Sequence, residues 1–136
     1  METNVDEIAP TITSGASASE AENTAATNVV YTATATDLDT VDSVSFSLTG
    51  TDAAKFSIDV DTGEVRFLAA PNFESPTDAN ADNVYQVVVH ANDGTNDTTK
   101  AVSITVTNVD EIAPTITSGA SASEAENTAA TNVVYT

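Results

Sequence analysis

The acidic side chains of this chain gather in turns rather than along strand exteriors, and they alternate with asparagine at two-residue spacing. Asp37-Leu38-Asp39, Asn92-Asp93-Gly94 and Asp78-Ala79-Asn80-Ala81-Asp82-Asn83 are three such groups. Asn108-Val109-Asp110-Glu111 is a fourth, and Asn4-Val5-Asp6-Glu7 is its copy near the start. Alternate residues of an extended chain project to one side, so each group offers convergent oxygen donors. A hard cation taking six to eight oxygens at about 2.3–2.6 Å suits that chemistry. Calcium fits it better than magnesium, which demands octahedral geometry, or zinc, which prefers nitrogen and sulfur. Asp78, Asn80 and Asp82 are read as a separate intradomain calcium site. They are not an EF-hand: a twelve-residue loop begun at Asp78 would end on Val89, with Asn83 where glycine belongs. Asp59-Val60-Asp61-Thr62-Gly63 has a similar pattern, but a hairpin turn explains it without a metal.

Composition narrows the function classes. Twenty-one Asp and Glu face only Lys55, Arg66 and Lys100, a formal net charge of -18. That field repels a compact state unless cations offset it, and its sign excludes nucleic acid as a partner. The chain is 40% hydrophobic and rich in Val, Thr and Ala, too apolar for a disordered acidic tail. Without cysteine it has neither disulfides nor thiolate metal sites. One histidine, no serine elbow and no glycine-rich phosphate loop leave catalysis unsupported, so an enzyme is not expected. His90 reads as a structural side chain on an alternating strand. Threonine is abundant, but it is a favoured strand residue and forms no flat Thr-x-Thr ladder, so direct ice contact is not expected.

The elements that must position these groups are strands. Alternation marks Val29-Tyr31-Ala33-Ala35, Val44-Phe46-Leu48, Phe56-Ile58, Val65-Phe67, Tyr85-Val87-Val89-Ala91 and Val102-Ile104-Val106, and a first strand is placed near 11–14. Asp61-Thr62-Gly63 and Asp93-Gly94-Thr95-Asn96 read as turns, and a short helical turn is allowed near 52–55. About seven short strands indicate an all-β, immunoglobulin-like sandwich. Its inward positions carry many alanines and no tryptophan, so the core is thin and a further stabiliser is expected.

Residues 3–32 recur letter for letter as residues 107–136, an offset of 104. A unit of that length is domain-sized rather than solenoid-sized. The reading is residues 1–10 as an incoming linker and 11–107 as one sandwich repeat. Residues 108–114 form a calcium-binding linker and 115–136 the truncated start of the next repeat. Met1-Glu2 leads straight into the repeat, so the chain is expected to be a stretch of a longer tandem array. Because residues 112–136 lack the partners of a whole sandwich, they are expected to pair with another molecule, by strand exchange.

The segments Ala35–Asp39 (ATDLD), Glu22-Asn23, Asn72–Glu74 (NFE), His90–Gly94 (HANDG) and Asn108–Pro114 (NVDEIAP) together resemble cadherin repeats. The length and wording of the unit further resemble the tandem extender repeats of bacterial ice-binding adhesins. The cadherin resemblance implies sandwiches chained end to end with calcium at each junction. It assigns Glu22, Glu74, Asn108, Asp110 and Glu111 to the outgoing junction, and Asn4, Asp6, Glu7, Asp37, Asp39 and Asp93 to the incoming one. Asn72 stands where the family has an acidic residue, and Ile112, with its copy Ile8, where it has the last linker asparagine. The rear junction also lacks a downstream Asp-x-Asp, so its coordination is expected to be completed by water or a neighbouring molecule. The adhesin resemblance implies an extracellular, cell-surface extender of a bacterium, with adjacent identical repeats and calcium as partners and no direct contact with membrane. The alternative from the sequence is a recognition module for glycan or for another such domain.

Overall fold

A computed structural model of the chain describes residues 8–37, 43–111 and 113–136. Among these, nine strands and one short helical turn follow in the order β1 Thr11–Ile12, β2 Ser17–Ala21, β3 Tyr31–Thr32, β4 Ala35–Thr36, β5 Ser45–Thr49, a 3-10 turn Ala53–Lys55, β6 Phe56–Ile58, β7 Glu64–Phe67, β8 Val84–Asn92 and β9 Asp97–Thr107. They form a four-stranded sheet β2-β9-β8-β5, a three-stranded sheet β3-β7-β6 and the pair β1-β4. The chain therefore makes seven passes, two of which divide between sheets.

β8 and β9 are the long central pair. Their antiparallel register runs from Val84 opposite Thr105 to Asn92 opposite Asp97. Inward residues alternate as the sequence pattern requires: Tyr85, Val87, Val89 and Ala91 on β8, and Val102, Ile104 and Val106 on β9, are all buried. Phe46 of β5, Phe56 of β6, and Val65 and Phe67 of β7 meet them from the other strands. At the heart, the Phe56 and Phe67 rings lie 4.4 Å apart and Tyr85 meets both edge-on at 5.6 and 5.2 Å. Tilted and edge-to-face arrangements are those that ring quadrupoles favour.

The first third of the chain lies along sheet edges. β2 pairs with β9 in parallel, from Ser17 opposite Ser103 to Ala21 opposite Thr107. Its inward side chains are Ala18 and Glu20, so it carries no large apolar residue that would reveal a strand in sequence. Burial pushes the Glu20 carboxyl above its usual range, and the Asn28 amide, 2.6 Å away, partly counters this. The run expected to be one strand from Val29 to Ala35 instead divides. Tyr31 pairs with Val65 in one sheet, whereas Ala35 pairs with Ile12, and Ala33 sits at the crossing with its N–H donating to Gly63 O at 2.8 Å. Strands that change sheets form the corners of sandwiches. The Tyr31 hydroxyl reaches Ser14 Oγ at 2.7 Å and Gly15 O at 2.6 Å, pinning the bend between β1 and β2.

The β6–β7 hairpin closes as expected. Asp59 Oδ1 accepts the N–H groups of Asp61 at 2.8 Å and Thr62 at 3.0 Å, and Gly63 takes φ +76°. Those two N–H groups, Thr62 foremost, hold the Asp59 carboxyl below its ordinary range. A group shifted downward on folding contributes stability above the ordinary aspartate range and loses it as pH falls through its lowered value. Asp59→Ala is expected to lower Tm at neutral pH, with the gap to the parent closing on acidification, in paired thermal melts across pH. At Gly63 an added Cβ would stand 2.2 Å from Ala33 O, at a φ that non-glycine residues adopt only with strain. Gly63→Ala is expected to cost at least about 2 kcal/mol in urea unfolding.

Candidate metal centre

Three glutamates converge at the pole where β9 ends. Glu22 follows directly on β2, Glu74 lies in the loop after β7, and Glu111 lies in the segment after β9; one carboxylate oxygen of each falls within 4.8 Å of the others. Backbone bonds fix the three segments. Glu22 N–H donates to Thr107 O at 3.0 Å and Asn23 N–H to Pro71 O at 2.8 Å. The reversal after β2 is possible because Asn23 takes φ +65°, a conformation asparagine tolerates better than most residues. The Asn23 side-chain amide then donates to Glu111 Oε1.

Glu22 organises the group. Its side chain is only 3% exposed, with Oε1 accepting Val109 N–H at 2.9 Å and Oε2 accepting Phe73 N–H at 2.9 Å. These bonds, Val109 first, hold its carboxyl below the usual glutamate range. Glu74 shifts the opposite way, raised first by its hydrogen bond with Glu22, then by desolvation and by the charges of Glu22 and Glu111. Two carboxyls close enough to bond through one proton cannot both ionise cheaply. The site therefore concentrates negative charge beyond what the protein neutralises by itself, while leaving side-chain oxygens convergent. Such a set could hold a calcium ion, with Glu22, Glu74 and Glu111 as the carboxylates that would bind it.

The remaining candidate residues divide by position. Asn108 and Asp110 sit on the same outgoing segment and are exposed; Asp110 is not among the three clustered carboxylates. Asp37 and Asp93 lie at the opposite pole. Residues 10–21 run alongside β9 in its own direction, because Pro10 O accepts Thr98 Oγ1 at 2.6 Å and β2 pairs in parallel further on. β4 returns antiparallel to β1, so Asp37 emerges beside the start of β9, where the turn carrying Asp93 also lies. In that turn Asp93 Oδ1 accepts Thr95 N–H at 2.9 Å and Asn96 N–H at 2.6 Å. Asn4, Asp6, Glu7 and Asp39, assigned to the same pole from the sequence, lie outside the described residues, as does Ile112.

Asp78, Asn80 and Asp82 close their own loop. Asp78 is buried, its Oδ2 accepting Asp82 N–H at 2.9 Å and Oδ1 accepting Asn83 N–H at 3.1 Å. Asp82 Oδ1 accepts Val84 N–H at 2.9 Å, and Oδ2 accepts the Asn80 amide at 3.0 Å; the Val84 bond is the leading cause of a lowered Asp82 carboxyl. Sequence reasoning overlooked Asp52. It is buried and joins the long loop to β8, accepting Ala79 N–H and Gln86 N–H, each at 2.7 Å. Its position just before the short helical turn was its one signal. His90 is structural, bonded through Nδ1 to Asp97 at 2.8 Å and through Nε2 to Thr49 at 2.6 Å.

With this geometry in hand, solved structures give the fold its family resemblance. Mouse cadherin-23 EC22-24 superposes with TM-score 0.67 at 26% identity, over 77% of this chain and 32% of that one. Drosophila N-cadherin EC1-3 gives 0.64 at 24%, over 74% and 34%, and human protocadherin-24 EC1-2 gives 0.63 at 18%, over 76% and 44%. The fold is cadherin-like. This chain thus spans less than half the length of each of those three structures. No family model and no curated protein matches the sequence.

Removing one of the three charges separates electrostatic cost from metal binding. Glu74→Gln is expected to raise the Tm of the metal-free protein while lowering calcium affinity at least about tenfold, since affinity follows ligand charge count. Calorimetric melting in EDTA and calcium titration of the same variant check the two halves.

Proposed function

We propose that this chain is a calcium-rigidified spacer repeat of an extracellular adhesin, whose work is length and stiffness. The observation that carries the reading is the joining of Glu111, from the segment that leaves the sandwich, to Glu22 and Glu74 of the sandwich itself. A cation held by all three would tie the outgoing chain to the body and remove a hinge. Asp37 and Asp93 at the other pole, with Asn4, Asp6, Glu7 and Asp39, would serve the preceding junction in the same way. Calcium at extracellular, millimolar levels suits sites of about 10⁻⁴ to 10⁻³ M affinity, and binding only to the folded state would stabilise it by mass action. The 104-residue period and the likeness to bacterial extender repeats support a place on a bacterial surface, holding an ice-binding tip domain away from the cell. Among the described residues no helix is long and apolar enough to cross a membrane.

The aromatic side chains bear on the recognition alternative. Tyr31, Phe46, Phe56, Phe67 and Tyr85 are buried in the core, so none of them offers a face to a sugar. The spacer reading also accounts for the charge: a surface binder has no need of three carboxylates within 4.8 Å, whereas a metal-locked junction does.

Small-angle scattering of four tandem repeats distinguishes rod from chain. In calcium the maximum dimension is expected to grow by at least about 30 Å per repeat, the length of a strand of nine or ten residues. EDTA should shorten it and broaden the distribution. Equal dimensions in the two conditions would refute the proposal.

A further inference from the structure

A cleft of about 310 Å³ opens between the 3-10 turn Ala53–Lys55 and the loop that follows β7. Phe67 and Tyr85, core side chains only 4% and 1% exposed, border it from the inside. Leu68, Ala69, Ala70 and Pro71 give it an apolar wall. Main-chain bonds hold that wall: Leu68 N–H donates to Lys55 O at 2.9 Å, and Pro71 O accepts Asn23 N–H at 2.8 Å. The facing loop is tied as well, with Thr77 N–H donating to the Tyr85 hydroxyl at 3.2 Å. The cleft is thus formed without a ligand, and its volume lies at the lower end of the roughly 300–1,000 Å³ that small molecules fill.

Its charge is unlike that of the rest of the molecule. The chain holds 21 acidic residues and three basic ones. None of the described acidic residues lines the cleft, whereas Lys55 does. Arg66 is bonded to Glu64 and Lys100 to Ser14 O; among the described residues the Lys55 ammonium has neither an ion-pair nor a hydrogen-bond partner. Asp52, three residues before it, has both carboxylate oxygens taken by the N–H groups of Ala79 and Gln86. The N–H groups of Ala69 and Ala70 also meet no protein acceptor among the described residues. An ammonium and main-chain donors beside an apolar wall are the groups that recognise a carboxylate carried on an apolar body. The net charge of -18 repels an anion from afar, but physiological salt screens charges beyond about 8 Å, so the groups at the cleft decide.

We propose that this cleft is a binding site for a small amphipathic carboxylate, its head at Lys55 and its apolar body against Leu68, Ala70 and Phe67. The volume suits a chain of medium length or a single ring rather than a folded partner. The three clustered glutamates take no part, so the site is independent of whether they hold an ion.

NMR titration of the isotope-labelled chain with sodium octanoate, in millimolar calcium chloride, tests this. Saturable shifts are expected at the amides of Lys55, Leu68, Ala69 and Ala70. Octylamine, the same chain with the opposite charge, is expected to bind at least about fivefold more weakly. Lys55→Met keeps the side-chain stem and is expected to weaken octanoate at least about threefold. Ala70→Trp fills the cleft from an exposed position and is expected to abolish binding while melting as the parent does. The proposal is overturned by octylamine binding as tightly as octanoate, by undiminished octanoate binding to either variant, or by shifts centred on Phe73 and Val109 at the three-glutamate pole. Lack of saturable shifts up to about 10 mM octanoate overturns it too.

Discussion

The Glu22 carboxylate, held between the backbone N–H groups of Phe73 and Val109, is the interaction on which the outgoing pole depends. Both oxygens are engaged by main chain, so the group stays ionised and fixed. Those same bonds bring the loop of Glu74 and the segment of Glu111 against it. A buried carboxylate with two backbone donors is stable alone; two further carboxylates within 4.8 Å make it unstable unless positive charge arrives. The main chain therefore assembles a site that the side chains, without a cation, would push apart. Only three basic residues exist in the chain. Lys100 is bonded to Ser14 O, and Arg66 to Glu64 and to Thr27 O, and no basic side chain is among the groups that shift the Glu22 and Glu74 carboxyls.

The long strands were legible because burial and period agree. β8 and β9 alternate large apolar residues inward over most of their length, and no competing local chemistry interrupts them. β2 was illegible for the opposite reason: Ser17–Ala21 faces inward with alanine and glutamate, and its pairing is decided by β9. The division of residues 29–36 between two sheets was equally hidden. It depends on the close approach of Gly63 to Ala33, a contact between positions thirty apart that no alternation pattern encodes.

The candidate metal centre was legible unevenly. Two-residue spacing pointed to loops, yet the glutamates that meet, Glu22, Glu74 and Glu111, come from three separate segments and only the last belongs to a spaced group. The other two were suggested by likeness to cadherin repeats, since pairwise convergence across 52 and 37 residues has no local signature. Asp78-Asn80-Asp82 has the spacing of a ligand loop, and backbone N–H groups two to five residues on reach the same oxygens, as Asp and Asn arrange wherever the chain bends. Glu22 accepts two backbone N–H groups as well, so spacing and backbone bonds do not by themselves tell a ligand loop from a turn.

Identity between repeats adds a constraint that a single domain does not face. Residues 9–32 and their copy at 113–136 are identical, so the sequence of the contact cannot select between them. Connectivity has to do it. The segment 9–32 enters the body through a continuous chain at Ala33, whereas its copy follows β9 at the pole opposite to Pro10, joined by only a few residues. A longer linker would bring the copy within reach of its own body and set two identical segments in competition for one place. On the proposed reading, a short linker closed by a cation would serve two ends at once: a stiff junction would give the array its length and would also keep each repeat's first strands on the repeat they belong to.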